Sequence, residues 1–143
     1  MKNLVILSGG FDPVHMGHVY MLEAASLIGE IVICLNSDDW LTRKKGKPFM
    51  SWIERATIVG NMKYVIDVLP MNDSDDTACD GIKSAHSKYK KQYDWIYFGN
   101  GGDRNPTTVP GKEQELCEKL GIRLLWELGG KAKVQSSNWF LDK

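Results

Sequence analysis

Apolar residues in this chain gather in short β-branched runs, with helical spacing between them. The runs "NLVILS" at 3–8, "IVICLN" at 31–36, "YVIDVLP" at 64–70, "DWIYFG" at 94–99 and "IRLLWEL" at 122–128 each read as a strand buried on both faces. After the first run, Met21, Ala24, Ala25 and Ile28 fall at i, i+3, i+4 and i+7 on one helical face, and Gly29 closes that helix. A second helix opens at "SWIE", where Ser51 can cap and Glu54 reach back, ahead of Trp52, Ala56 and Val59. Ile82, Ala85, His86 and Tyr89 stripe a third. Asp73, Asp75 and Asp76 precede it and Lys88, Lys90 and Lys91 follow, an order that complements a helix dipole. A fourth starts near Pro110, turns Leu116, Cys117 and Leu120 inward and stops at Gly121. The stretch "SDDWLTRKKGKPF" reads as a loop.

Alternating strands and helices fold into a parallel sheet with right-handed crossovers. The expectation is a single α/β domain over 1–143, a five-stranded parallel sheet with helices on both faces. No repeat, linker or low-complexity tract interrupts it. Ligands of such sheets bind beyond the carboxyl ends of the strands, which directs attention to the loops after strands one, two and four.

Composition narrows the class of ligand. Eighteen basic and 18 acidic residues balance at net zero, so no global positive field exists to hold a nucleic acid, and small molecules are the expected partners. Cys34, Cys79 and Cys117 form no CxxC pair and are odd in number, which argues against a disulfide framework or a zinc site. The opening residues are too short an apolar run for a signal peptide or a membrane span, and a cytoplasmic protein is expected.

The unusual chemistry sits in "GGFDPVHMGH", between the first strand and the first helix. Gly9 and Gly10 let backbone N–H groups approach an anion. Pro13 biases Asp12 toward an extended conformation that aims its side chain away from the helix path. His15 and His18 lie one turn apart at a helix start, where unpaired N–H groups and the dipole favour negative charge, and Gly17 between them keeps the approach open. Two imidazoles at such a point suit phosphate oxygens whose charge rises during phosphoryl or nucleotidyl transfer. The plain alternative is that the histidines merely cap the helix and the glycines merely turn the chain. Other phosphate and metal motifs fail on spacing. GxGxxG is absent, "PGKE" lacks the rest of a Walker loop, and no HExxH is present.

"GGFDPVHMGH" resembles the signature of the nucleotidyltransferase α/β phosphodiesterase superfamily, the cytidylyltransferase-like group, with His15, Met16, Gly17 and His18 as its HxGH motif. The resemblance implies a Rossmann-like fold and an enzyme that binds a nucleoside triphosphate over this loop. The phosphate of a second, small phosphorylated substrate attacks the α-phosphorus in line and expels pyrophosphate. It further implies that His15 and His18 stabilise the transition state and that Gly9, Gly10, Phe11 and Gly17 line the nucleotide. Mg²⁺ is expected to arrive through the triphosphate, since the chain shows no carboxylate cluster of its own.

Other stretches carry the resemblance further along the chain. The segment after the second strand is similar to the one that delivers a lysine to the phosphates; Lys45, before Gly46, matches best and Lys44 is the alternative. "IERA" matches a Glu-Arg pair in which Arg55 is either an acceptor-phosphate ligand or a structural ion-pair partner, and Asp12 is counted with it among the acceptor-binding residues. "YFGNGGDRN" resembles a Gly-Gly-Asp stretch that contacts the nucleoside, here Gly102 and Asp103, and "VQSSNWFL" a Ser/Thr-rich triphosphate motif, here Ser136 and Ser137. Glycerol-phosphate cytidylyltransferases carry an Arg-Thr pair before that last motif where this chain has "LGGKAK", whereas heptose-phosphate adenylyltransferases also lack the arginine. The difference tilts the nucleotide from CTP toward ATP. The implied activity is transfer of CMP or AMP to a sugar or polyol phosphate by a homodimer, the alternative being a non-catalytic nucleotide sensor of the same fold.

Overall fold

A computed structural model describes residues 2–101 and 109–129. The elements follow as β1 (Asn3–Gly9), α1 (Met16–Ser26), β2 (Glu30–Leu35), α2 (Asp38–Lys45), α3 (Trp52–Gly60), β3 (Val65–Pro70), α4 (Cys79–Tyr89), β4 (Trp95–Gly101), α5 (Gly111–Leu120) and β5 (Arg123–Leu128). The five strands are parallel in the order β3-β2-β1-β4-β5. All five predicted strands and all four predicted helices are present, with ends shifted by a residue or two.

Side-chain alternation along β1 explains the layers. Leu4 and Ile6 face Ile82 and Ala85 of α4 and Cys117 of α5, while Val5 and Leu7 face Leu22 and Ala25 of α1 and Val59 of α3. All four β1 residues are fully buried, as a central strand covered on both faces requires. From β1 the chain moves outward to β2 and β3, then crosses to β4 on the other side of β1. The order therefore reverses between β1 and β4, and the crevice above their carboxyl ends is where such sheets bind ligands.

Two local expectations are corrected. The basic segment read as a loop contains α2. Ser37 caps it through a bond from the Trp40 N–H (3.0 Å), Asp38 and Asp39 occupy its first turn, and Arg43, Lys44 and Lys45 its last. Only Leu41 of this helix is buried, so no apolar stripe announced it, and its order rests on capping and dipole-matched charge. Conversely, Asp73, Asp75 and Asp76 do not serve the α4 dipole. Asp80 occupies the first turn there, and the N–H of Ala78, the N-cap residue, donates to Glu113 Oε2 of α5 (2.9 Å).

Candidate active site

The loop leaving β1 holds its two histidines by the helix end itself. His15 is the N-cap of α1; the Gly17 N–H donates to its Nδ1 (3.1 Å), and the His15 N–H donates to His18 Nδ1 (3.2 Å). This is a capping box built from imidazoles in place of the usual hydroxyl and carboxylate. The capping reading of these residues is therefore correct as local structure, and it has a chemical consequence. A ring nitrogen that accepts a hydrogen bond carries no proton, so the proton of each neutral ring lies on Nε2, on the edge turned from the cap. Both donor edges are thereby oriented by backbone. The rings stack at 3.9 Å between centroids, and Phe11 packs on His18 at 4.5 Å.

Phe11 is 2% exposed and belongs to the core on the α1 face, where its ring supports the His18 ring. Its backbone lies in the left-handed region at φ 49°. The paired glycines also have packing reasons. A Cβ on Gly9 would lie 3.1 Å from Phe11 Cε2, and one on Gly10 would lie 3.0 Å from Leu41 Cδ2 of α2.

Two buried charges clasp this loop to the chain that follows α2. Asp12, 2% exposed, accepts from the N–H groups of Phe49 (2.6 Å) and Met50 (2.8 Å), and Lys45 Nζ reaches both its carboxylate (2.9 Å) and its carbonyl (2.7 Å). Arg55, with no exposed surface, donates to the carbonyls of Gly10 (2.9 Å), Asn36 (2.8 Å) and Met50 (3.0 Å) and to Asp38 Oδ1 (2.7 Å). These partners decide between the two readings of Arg55 in favour of the structural ion pair. Asp12 is likewise committed to protein, which corrects its expected place as an acceptor ligand. Both residues grip the peptide units of Met50, one through its N–H and the other through its carbonyl.

A cleft of about 490 Å³ opens beyond the carboxyl ends of β1, β2 and β3, with Gly9, Trp40, Arg43, Lys44, Thr77 and Glu113 among its walls. Its rim is fixed by Asp73, which accepts from the Asn36 amide (2.9 Å) and from the Ser37 N–H (2.8 Å) and hydroxyl (2.6 Å). Burial pushes the Asp73 carboxyl upward, but the bonds from Ser37 and Asn36 outweigh it and hold the group below the usual carboxylate range. Buried thiols offer no nucleophile. Burial, then Asp80 and Asp67, push Cys34 up to about 12, and burial with Glu113 and Cys79 does the same for Cys117.

The sequence pattern of the cytidylyltransferase-like family matches residues 6–122, the stretch from β1 to the start of β5. The chain belongs to the cytidylyltransferase-like family. The bifunctional protein HldE of Syntrophotalea carbinolica is 34% identical over 147 residues, covering 99% of this chain and 28% of that protein. The glycerol-3-phosphate cytidylyltransferase of Bacillus subtilis is 34% identical over 67 residues, covering 46% of this chain and 52% of that one. This chain therefore spans about a quarter to a half of the length of these relatives. A crystal structure of the lipopolysaccharide core biosynthesis protein from Thermoplasma volcanium GSS1 superposes with a TM-score of 0.62 at 20% identity, over 89% of this chain and 95% of that one. A putative nicotinate-nucleotide adenylyltransferase from Vibrio parahaemolyticus gives 0.63 at 14% identity, over 99% of this chain and 86% of that one. The last two likenesses carry the Rossmann-like fold.

Set against this family's pattern, the residues singled out in the sequence divide into three groups. Gly9, Gly10, Gly17, His15 and His18 lie together at the end of β1 and the start of α1. Lys44 lines the cleft with its Nζ 4.9 Å from the Trp40 ring, whereas Lys45 turns to Asp12 and its side chain is 13% exposed. Gly102, Asp103, Ser136 and Ser137 lie outside the described residues. Sequence reasoning passed over Asn36, Asp38 and Asp73, which order α2. The signal for Asn36 and Asp38 was the "NSDD" stretch, a capping pattern at the start of a segment taken for a solvated loop, whereas Asp73 was read as an acid of the α4 dipole. Among the described residues no group of three or more His, Cys, Asp or Glu side chains is placed to hold a metal, and no helix is long and apolar enough to cross a membrane.

Proposed function

We propose that this domain transfers CMP or AMP from a nucleoside triphosphate to a small sugar or polyol phosphate and releases pyrophosphate. The observation that carries the reading is the pair of stacked imidazoles, each with Nδ1 accepting a backbone N–H at the start of α1, beside the glycines that end β1. An acceptor phosphate oxygen forms a bond to the α-phosphorus as the bond from that phosphorus to the bridging oxygen breaks, and the electron pair leaves with pyrophosphate. Charge on the phosphoryl oxygens rises in that step, and donors already aimed by backbone meet it without reorganisation. Lys44 adds a cation on a flexible stem at the cleft wall, and Lys45 stiffens the loop through Asp12. Mg²⁺, when bound, would be held by the phosphates of the nucleotide and would supply charge neutralisation there, Asp12 being engaged by the Phe49 and Met50 N–H groups and by Lys45. Homodimer assembly, a cytoplasmic setting and the base preference toward ATP belong to the same proposal.

The deciding experiment crosses the common nucleoside triphosphates with a panel of phosphorylated sugars and polyols and reads pyrophosphate release. Turnover with at least one pair is expected. Tight nucleotide binding with no turnover for any pair would favour the sensor reading and overturn this one.

A further inference from the structure

At the amino ends of the strands, away from the cleft, three large apolar side chains stand in water. Leu27, the C-cap residue of α1, is 89% exposed, Tyr64 43% and Ile66 42%. Scattered apolar residues need no explanation, but these gather at one hollow of about 630 Å³. Tyr64 and Ile66 line it, and Leu27 lies between Ser26 and Ile28, which line it too. Two of the three are also held out at a cost to the backbone. Tyr64 has φ 81°, in the left-handed region that suits glycine and costs a bulky aromatic residue free energy. Ile66 is the extra residue of a β-bulge: Val65 faces Ile31 and Asp67 faces Val32 of β2, which leaves Ile66 without a partner in the ladder. Strain and bulge together keep an aromatic and an aliphatic side chain on the surface instead of in a core.

We infer that this face docks a second copy of the chain, with Leu27 of each protomer seated in the hollow of the other against Tyr64 and Ile66. The inference rests on the homodimer part of the reading above and adds the surface that forms it. Two observations select a second copy as the occupant. A two-fold contact needs a projection and a recess on the same patch but at different points of it, and Leu27 is a projection beside a recess. The charges agree: Lys2 and Glu30 border the hollow, paired at 3.6 Å with side chains 61% and 44% exposed, so the face is neutral and an inverted copy can set each charge against its opposite. β3 is an edge strand, and its bulge breaks the outer ladder, so side chains make the contact and the sheet is not extended across it. The hollow lies at the amino ends of β1, β2 and β3 and the histidines lie past the carboxyl end of β1, so assembly leaves both active sites open.

The test is sedimentation velocity on the full chain over about 1–100 μM, which needs no turnover and so is independent of the transfer chemistry. It compares the wild type with Leu27→Glu, Ile66→Lys and Ile53→Glu, the last placing a charge on an exposed residue at the other end of the molecule, in the first turn of α3. The wild type is expected to be a dimer at about 10 μM. Leu27→Glu and Ile66→Lys each put an unpaired charge into the contact and should raise the dissociation constant about a hundred-fold or more, while Ile53→Glu moves it less than about three-fold. Mixing Leu27→Glu with Ile66→Lys in equal amounts sets the new carboxylate against the new ammonium at one of the two contacts and leaves the other native. A heterodimer should form from the mixture where each variant alone is monomeric, a rescue that a folding defect does not give. A wild type that stays monomeric at about 100 μM overturns the inference and the homodimer reading together, leaves the face to a different partner, and leaves the transferase reading standing. A dimer that neither Leu27→Glu nor Ile66→Lys dissociates, one that Ile53→Glu dissociates equally, or a mixture that stays monomeric overturns the placement of the interface alone.

Discussion

Replacing Arg55 with methionine tests how the site is held. The side chain has no exposed surface, and its four acceptors are the Gly10, Asn36 and Met50 carbonyls and the Asp38 carboxylate. They do not weigh equally. Asp38 has a side chain 45% exposed, so water takes over its charge when the partner goes, and the carboxylate adds little to the loss. The Asn36 carbonyl is bonded to Arg55 in a buried setting and loses about 1–3 kcal/mol when orphaned; the partly buried Gly10 and Met50 carbonyls lose less. Methionine regains some of the cost of burying the guanidinium, which offsets part of the sum. A net loss of about 3 kcal/mol follows, or a fall in Tm of about 6–12 °C for a domain of this size. Arg55→Lys falls between, since one ammonium cannot span acceptors on three segments. Urea unfolding gives the stability and pyrophosphate release gives the activity of the folded fraction. The reasoning fails if Arg55→Met unfolds within about 1 kcal/mol of the wild type. It fails differently if turnover is lost with Tm and nucleotide binding unchanged, since that outcome makes Arg55 a substrate ligand.

Other consequences follow from the same contacts. His18→Ala removes a transition-state donor and should lower turnover by about 10²–10⁴; it also deletes the acceptor for the His15 N–H, so Tm falls by the equivalent of about 1 kcal/mol, whereas His18→Asn, which offers an oxygen there, should recover stability without activity. Equal activity in the two proteins would remove His18 from the chemistry. Because the folded Asp73 carboxyl sits below its ordinary range, its contribution is present at neutral pH and is lost as pH falls through that lowered value. The stability gap between wild type and Asp73→Asn should therefore be widest above the unfolded pKa, near 4, and close toward pH 2 in urea melts; a gap independent of pH contradicts the assignment. Gly29→Ala places a Cβ 2.3 Å from the Asn3 carbonyl oxygen, at the amino end of β1 and far along the strand from the histidines, and should cost about 1–3 kcal/mol or more while the KM values of the folded enzyme stay fixed. Altered KM values would mean that this end of the sheet is coupled to the site.

The layered fold was legible because its signals are local and redundant. β1 and β2 carry unbroken apolar runs, β3 and β5 are apolar runs interrupted by Asp67 and Glu127, and four of the helices carry a stripe that packs on one of two cores. The helix α2 was not legible by that route. Its single buried residue, Leu41, cannot make a period, and its remaining support comes from Asp73, 36 residues beyond the cap it orders. The same distance hid the roles of charged residues. Nothing in "IERA" reveals that Arg55 bonds a carbonyl 45 residues earlier, and nothing in the run Arg43 to Lys45 shows which cation faces the cleft and which is turned to Asp12.

For this protein the sequence alone determined the five strands and the four helices that carry an apolar stripe, the sheet edge at which ligands of such folds sit and the pair of histidines at the first helix start. All of these depend on residues within a turn or a strand of one another. Tertiary structure decided what each charge does, because a side chain's partner is set by which segments the sheet brings side by side. Asp12 and Arg55 moved from the substrate to the scaffold on those grounds, and Arg43, anchored along one edge by a loop from the neighbouring strand, moved from a solvated surface to the wall of the cleft.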